Sequence, residues 1–378
     1  MALTPRRSTA LTTGAVLLAA ACAGSSDDAA TAPTAPSATT APPAATAATT
    51  TTPPPAPATT APPATSPVTS PPTTEPAPAE RPAIADLIAS GELLNIAHAG
   101  GDQEWPHSTF YAYDRAVAVG ADVLEMDVQL TGDGVLIVQH DDTVDGTTNG
   151  TGRVDAMTFD EIAALDAAHW YVPGCWPCRD LPDDRYTLRG VRLGEAEAPD
   201  GVSPDDLRIV SFAELVERYP SHALDVEIKG SGDAAMAAAD ELARLIDEYD
   251  LTEHIVVVSF DVATVEYFHS LAPDVHISPG VDTMVAWLLG GVSLDPKYRI
   301  VQVPPEFDGL AVITPDFWDE VAAAGVTVWM WPSSTDQENA EFYQEMIDQG
   351  VRGIIAGRPT AVESCTCDII EVPVTSGV

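Results

Sequence analysis

The stretch VLEMDVQLTGDGVLIVQH, residues 123–140, decides the architecture. Its two apolar runs, 123–128 and 135–140, flank Gly132-Asp133-Gly134, so local rules make it a hairpin with a turn centred on Gly132 and Asp133. That turn would set Glu125 directly across from His140. It also settles a count. Strand-like runs recur at 93–97, 123–128, 135–140, 223–228, 255–260, 275–278, 300–303, 326–331 and 353–356. Nine runs with one used as a hairpin return leave eight. Amphipathic segments at 108–119, 212–219, 234–249, 262–271, 315–324 and 339–349 lie between most of them. Repeated β-α units imply a parallel barrel or a doubly wound sheet. No G-x-G-x-x-G follows an early strand, so the expected fold is α/β, a (β/α)8 TIM barrel.

Working residues of such a barrel gather at the C-terminal ends of its strands. His98, Glu125 with Asp127, His140, Glu227 with Lys229, and Trp329 or Trp331 all fall at such ends. Glu125 and Asp127 are two apart on a strand, so both point to one face, the barrel axis or the helices. Two carboxylates buried side by side repel and raise at least one pKa unless a cation lies between them. In LDVEIK, Asp225, Glu227 and Lys229 alternate on one face, and Glu227 can supply a third oxygen ligand. Three carboxylates suit a hard divalent cation, Ca2+ or Mg2+, better than zinc. His98, in IAHAGG, and His140 each close an apolar run. Beside a carboxylate-held metal, one can take a proton and the other can give one. Trp287-Leu288-Leu289, near the sixth strand end, reads first as barrel packing.

The rest of the chain bounds where this chemistry takes place. Residues 1–22 carry Arg6 and Arg7, a short apolar core and small residues before Cys22, the layout of a secretory signal. That core is too short to span about 30 Å of hydrocarbon at about 1.5 Å per residue. Leu18-Ala19-Ala20-Ala21-Cys22-Ala23-Gly24 resembles a bacterial lipoprotein cleavage box, which makes Cys22 the lipidation candidate and a cell-surface lipoprotein, or else a secreted protein, the expectation. Residues 23–82, almost all Ala, Thr, Pro and Ser, read as a disordered tether, leaving 83–378 for the barrel. The formal charge is −40, from 57 acidic and 17 basic residues, so nucleic acid is excluded as a partner. The membrane enters only through the lipid anchor. Cys175, Cys178, Cys365 and Cys367 are disulfide candidates in an exported protein, with three pairings open. Cross-pairing would staple the segment around 171–200 to the C-terminus.

In order and spacing, IAHAGG, LEMDVQLTGDGVLIVQHDDTVDGTTNGTGRV, DVEIK, VTVWMW and GIIAGRP closely resemble the glycerophosphodiester phosphodiesterase family over about residues 92–363. The resemblance implies a (β/α)8 barrel that uses one divalent metal to hydrolyse a small or lipid-derived phosphodiester to an alcohol and glycerol 3-phosphate. It implies His98 and His140 as acid and base, and Glu125, Asp127 and Glu227 as metal ligands. It further implies Lys229 as the phosphate-facing cation, Asp145 as a loop support after His140, and Trp329, with Trp331 as neighbour, as the substrate wall. The sequence also departs from the family. Members usually have His-Arg-Gly where this chain has His98-Ala99-Gly100, and Pro-Glu-Asn-Thr where it has Pro106-His107-Ser108-Thr109. The usual arginine after the Asp145 position is Gly146. Ala99 cannot clamp a phosphate as an arginine does, which makes His107 and Lys229 the candidates to replace it. Two other functions remain open: a phospholipase D of the sphingomyelinase type, and a non-catalytic surface binding protein on this scaffold.

Overall fold

In the computed structural model, which describes residues 80–175 and 178–365, the chain forms a nearly closed parallel barrel. The expected signal, Cys22, the linker up to residue 79 and Cys367 lie outside the described residues. The strands are β1 (Leu94–Ala97), β2 (Val123–Leu130), β3 (Leu136–Val138), β4 (Ala223–Ile228), β5 (Ile255–Val258), β6 (His276–Ile277), β7 (Ile300–Val303), β8 (Glu306–Phe307), β9 (Leu310–Ala311), β10 (Thr327–Met330) and β11 (Gly353–Ala356). Eight of them pair in the order β6-β5-β4-β2-β1-β11-β10-β7, with β3 antiparallel on β2 and β8–β9 a separate hairpin. Across the seam between β6 and β7, Gln302 N donates to Ser278 Oγ at 3.2 Å.

The helices are α1 (Ile84–Ser90), α2 (Phe110–Ala118), α3 (Phe159–Ala163), α4 (Phe212–Arg218), α5 (Gly232–Glu248), α6 (Val262–Leu271), α7 (Val281–Leu288), α8 (Pro315–Ala324), α9 (Ala340–Gln349) and α10 (Pro359–Glu363). Side-chain caps set several starts, among them Thr109 on α2, the Ser211–Glu214 capping box on α4 and Asn339 on α9. No helix among the described residues is long and apolar enough to cross a membrane.

The β2–β3 hairpin forms, but its register differs from the expectation by one residue. Val128 pairs with Val138, Gln129 with Ile137 and Leu130 with Leu136, so the line through Glu125 leads to Asp141 and not to His140. The cause is a longer loop. Thr131 N donates to Val135 O at 3.0 Å and Thr131 Oγ1 accepts from Val135 N at 2.9 Å, closing a three-residue loop that ends in Gly134 at φ 83°.

Strand alternation then sorts every side chain. On β2, Leu124, Met126 and Val128 pack outward against the helices, while Val123 joins the interior cluster of Ile96, Ala223, Val256, Ile300 and Ile355. Glu125 and Asp127 share the parity of Val123, so they face the axis. The same rule turns Asp225 and Glu227 inward on β4. Helix α1 plugs the lower mouth, with Ile84 fully buried and its N–H donated to Glu253 O at 2.8 Å. Trp329 belongs to this interior layer and is 0 % exposed, which corrects its assignment to a substrate wall. Its parity is inward as expected, but its level is too deep. It sits beside Gly353, where a Cβ would come within 2.5 Å of the indole Cδ1.

Candidate active site

Above the Trp329 layer the inward positions turn polar. The register pairs Glu125 with Asp225 and Asp127 with Glu227, so carboxyl groups stand side by side at two levels. Neighbouring strands are only about 4.8 Å apart, which four ionised groups cannot share without positive charge. Lys229 supplies it, with Nζ 2.9 Å from Asp127 Oδ1 and 3.0 Å from Glu227 Oε1. Burial would raise Asp127, but Lys229, His140 and His98 hold it below the usual carboxylate range. The other three carboxyls move up. Burial pushes Asp225 to about 7 against its hydrogen bond from Gln302 Nε2, 2.8 Å, with Glu227 and Asp127 adding to the rise. Burial likewise raises Glu125 and Glu227, opposed by His98 and Lys229 respectively.

Each histidine is held through Nδ1 by an aspartate. His98 Nδ1 is 3.2 Å from Asp102 Oδ1, and His140 Nδ1 is 2.9 Å from Asp141 Oδ1. Such a partner sets the ring plane and the tautomer. Burial would lower the His98 pKa, but Glu125, Asp102 and Asp127 raise it well above its ordinary value. The neighbouring Ala99, at φ 46°, donates its N–H to Glu125 Oε2 at 2.6 Å, tying the histidine turn to the carboxyl floor. On the other side, Gln129 Nε2 donates to the carbonyl oxygens of His140, at 2.9 Å, and Asp141. Asp145 Oδ1 accepts from Gly152 N at 2.8 Å and spans the following loop. Gly146 explains one departure from the family pattern. A Cβ there would lie 2.5 Å from Asp141 Oδ2, so the glycine leaves Asp141 the room it occupies.

The residues converge on one cavity of about 880 Å³, lined by His98, Glu125, His140, Glu227 and Lys229 and walled by Trp331 among others. His107 does not line it. It is buried, 2.9 Å from Ser108 Oγ through Nδ1, and burial pushes its pKa down to about 4 although Asp102 opposes the shift. A neutral ring cannot supply an arginine's charge, so of the two proposed replacements Lys229 is the one that lines the cavity. The site also holds residues that the sequence reading missed. Asp102 lies four positions after His98, a spacing that could have signalled one helical turn. Asp141 and Gln129 give no periodic signal. Glu338 lines the cavity from the loop after β10, and burial raises it to about 7 against a hydrogen bond from the Tyr343 hydroxyl. Away from the site, Cys175 and Cys178 are joined to each other, which takes both out of a cross-pairing with the C-terminal cysteines.

The donor set can be tested for a metal. Asp127 Oδ2 is buried with no hydrogen-bond partner, and Glu125, Asp127 and Glu227 offer oxygen alone. That chemistry fits a hard divalent cation. Among the described residues, no three His, Cys, Asp or Glu already stand closed around a metal position. Lys229 Nζ lies between two of the three carboxylates instead.

A parallel barrel with two histidines, a lysine and a carboxyl floor at its C-terminal strand ends has the layout of a barrel enzyme that works at its upper mouth. Residues 98–361 match the family model for the glycerophosphoryl diester phosphodiesterase family. The chain belongs to that family, and so to the phosphoric diester hydrolases. It is 30% identical over 276 residues to a glycerophosphodiester phosphodiesterase of Caldanaerobacter subterraneus, covering 70% of this chain and 94% of the relative. It is 27% identical over 203 residues to one of Bacillus subtilis, covering 52% and 62%. Solved structures share the fold. A glycerophosphodiester phosphodiesterase from Agrobacterium tumefaciens superposes with a TM-score of 0.52 at 21% identity, covering 71% of this chain and 98% of its own. A phosphodiesterase from Oleispira antarctica, solved in complex with the product sn-glycerol-3-phosphate, gives 0.54 at 18% identity, covering 73% and 98%.

Proposed function

We propose that this chain hydrolyses a glycerophosphodiester to an alcohol and glycerol 3-phosphate by proton transfer between two histidines. The observation that carries the reading is the convergence of two aspartate-held histidines and Lys229 on one carboxyl-floored cavity. Lys229 neutralises the phosphate. His140 takes a proton from water, whose oxygen bonds to phosphorus, or from a substrate hydroxyl, which forms a cyclic phosphate that water then opens to glycerol 3-phosphate, and His98 gives a proton to the alcohol as the P–O bond breaks. Glu125, Asp127 and Glu227 would hold Ca2+ or Mg2+, which when bound supplies positive charge for the phosphate oxygens. The layout of residues 1–22 supports export, with Cys22 as the anchor point, so the substrate is met outside the cell.

Purified protein with Ca2+ or Mg2+ is expected to release glycerol 3-phosphate from glycerophosphocholine, to stop on chelation and to recover on re-addition. Turnover that survives exhaustive chelation removes the metal from the reading. Metal binding without turnover on a broad diester panel replaces it with the binding-protein alternative.

The protonation of His98 gives a second test. Asp102→Asn keeps the shape of the side chain and removes one of the anions that raise His98. Activity through a protonated His98 fades as pH climbs through its pKa, so the alkaline limb of kcat is expected to move to lower pH in the variant. A limb that stays in place beside a lower kcat assigns Asp102 to structure alone.

A further inference from the structure

The turn that carries His98 is held from behind. Asp102, which lies 3.2 Å from His98 Nδ1, is itself held through Oδ2 by Gln103 Nε2 at 3.1 Å. The Gln103 backbone is fixed on both sides, its N–H donating to Gly357 O at 3.0 Å and its carbonyl accepting from Gly174 N at 2.7 Å. The placement of His98 therefore depends on the Gly357–Arg358 turn that follows β11. What holds that turn is Glu338.

Glu338 comes from the loop after β10, and the chain on either side of it is fixed. Its N–H donates to Thr335 O at 3.2 Å across a single 3-10 turn, Thr335–Gln337, and the next residue, Asn339, caps α9. Its Oε2 accepts from the Arg358 N–H at 3.2 Å and from the hydroxyl of Tyr343, a fully buried residue on α9. Glu338 lines the cavity beside His98, yet both of these bonds run to α9 and the β11–α10 turn.

The other oxygen of Glu338 opens toward Asp102. A Cβ on Gly357 would come within 2.4 Å of Asp102 Oδ1 and 2.9 Å of Glu338 Oε1, so the missing side chain leaves a gap shared by the two carboxyls. Two buried carboxylates across such a gap would repel. Burial, with the Asp102 charge adding to it, raises Glu338 to about 7. Burial would raise Asp102 too, but His98 holds it below the usual carboxylate range. The pair can then carry a single charge, and the proton of Glu338 belongs on Oε1, because Oε2 already accepts twice.

We propose that Glu338 is a positioning residue for the acid histidine: it fixes the Gly357–Arg358 turn, backs Asp102 across the gap, and so holds His98 in line for the leaving alcohol. In this role it makes no bond to substrate. The proposal rests on the hydrolase reading above, and one arm of its test needs no turnover.

The test uses the full chain with divalent metal and glycerophosphocholine. Glu338→Ala removes both bonds and widens the gap, so kcat is expected to fall about 10–100-fold with KM within about threefold, the scale on which a displaced reacting group costs rate. Glu338→Gln keeps the acceptor and turns an N–H toward Asp102, as the protonated acid does, so it should lose no more than about fivefold, the order of one weakened hydrogen bond. Tyr343→Phe keeps the core ring, deletes one bond to Glu338 and should fall between the two. The imidazole N–H signal of His98 in the proton NMR spectrum, assigned by its loss in His98→Ala, reads the same contact without substrate. It is expected to stay in place in Glu338→Gln and to shift or broaden in Glu338→Ala.

Parental kcat and an unmoved His98 signal in Glu338→Ala overturn the proposal, even beside a lower Tm, and leave Glu338 a brace of the fold. A raised KM at parental kcat makes Glu338 a substrate contact and overturns it as well. So does Glu338→Gln as damaged as Glu338→Ala, since the charge and not the brace is then what His98 needs. If Glu338→Ala does not fold, Tyr343→Phe carries the test, with parental kcat and an unmoved signal again overturning the proposal. Absence of turnover by the parent on every diester sinks the hydrolase reading, and the His98 signal alone then decides whether Glu338 positions the ring.

Discussion

His98→Ala is expected to lower kcat/KM on a glycerophosphodiester by about 10²–10⁴-fold, the usual worth of a positioned acid or base. The argument is geometric. His98 lines the cavity, Asp102 holds it through Nδ1, and the surrounding anions raise its pKa. The same variant has a stability signature with a definite sign. A histidine whose folded pKa is raised contributes stability below its unfolded pKa, about 6.5, and loses that contribution as pH rises through the folded value. The variant's deficit in unfolding free energy should therefore be largest in acid and fade in alkali. Asp102 is left buried with Gln103 Nε2, at 3.1 Å, as its remaining partner, so some deficit at neutral pH is built in. Groups that act as a unit are not additive, so His98→Ala/His140→Ala should cost little more than either single change. Activity within tenfold of the parent, at matched metal and unchanged fold, would remove His98 from the chemistry.

How much of this was legible in the sequence follows from what local rules can see. Parity was visible: Glu125 and Asp127 two apart, Asp225 and Glu227 two apart, each set between outward-facing apolar residues. The hairpin return at Val135 was visible too, and with it the count of eight strands. Depth was not. Trp329 and Trp331 share a face, and the choice between core and mouth depends on how far β10 has risen when it meets Gly353, which is a matter of register between strands distant in sequence. The hairpin register turned on one threonine: Thr131 closing on Val135 moved the partner of Glu125 by one position. His107 was misjudged because burial, and not residue type, decides whether an imidazole is a cation. Helix α7 escaped notice because Val281–Leu288 carries apolar residues on its exposed side as well.

The depth of Trp329 carries the largest stability effect. Trp329→Ala is expected to cost about 3–5 kcal/mol, the range for emptying a large aromatic from a core. That lowers Tm by roughly 6–20 °C at about 2–4 °C per kcal/mol for a domain of this size. The loss is one of packing. The indole Nε1 is buried with no hydrogen-bond partner, so no bond is broken by removing it. Trp329→Phe should accordingly cost less than Trp329→Ala, because it keeps most of the ring volume and deletes an unsatisfied donor. The two tryptophans separate cleanly in one pair of measurements. A core residue shifts Tm with little change in KM, whereas Trp331, at the mouth, should shift KM with little change in Tm when replaced by alanine. Trp329→Phe that raises KM at constant Tm would return Trp329 to the substrate wall and require the barrel to open more deeply than its interior packing allows.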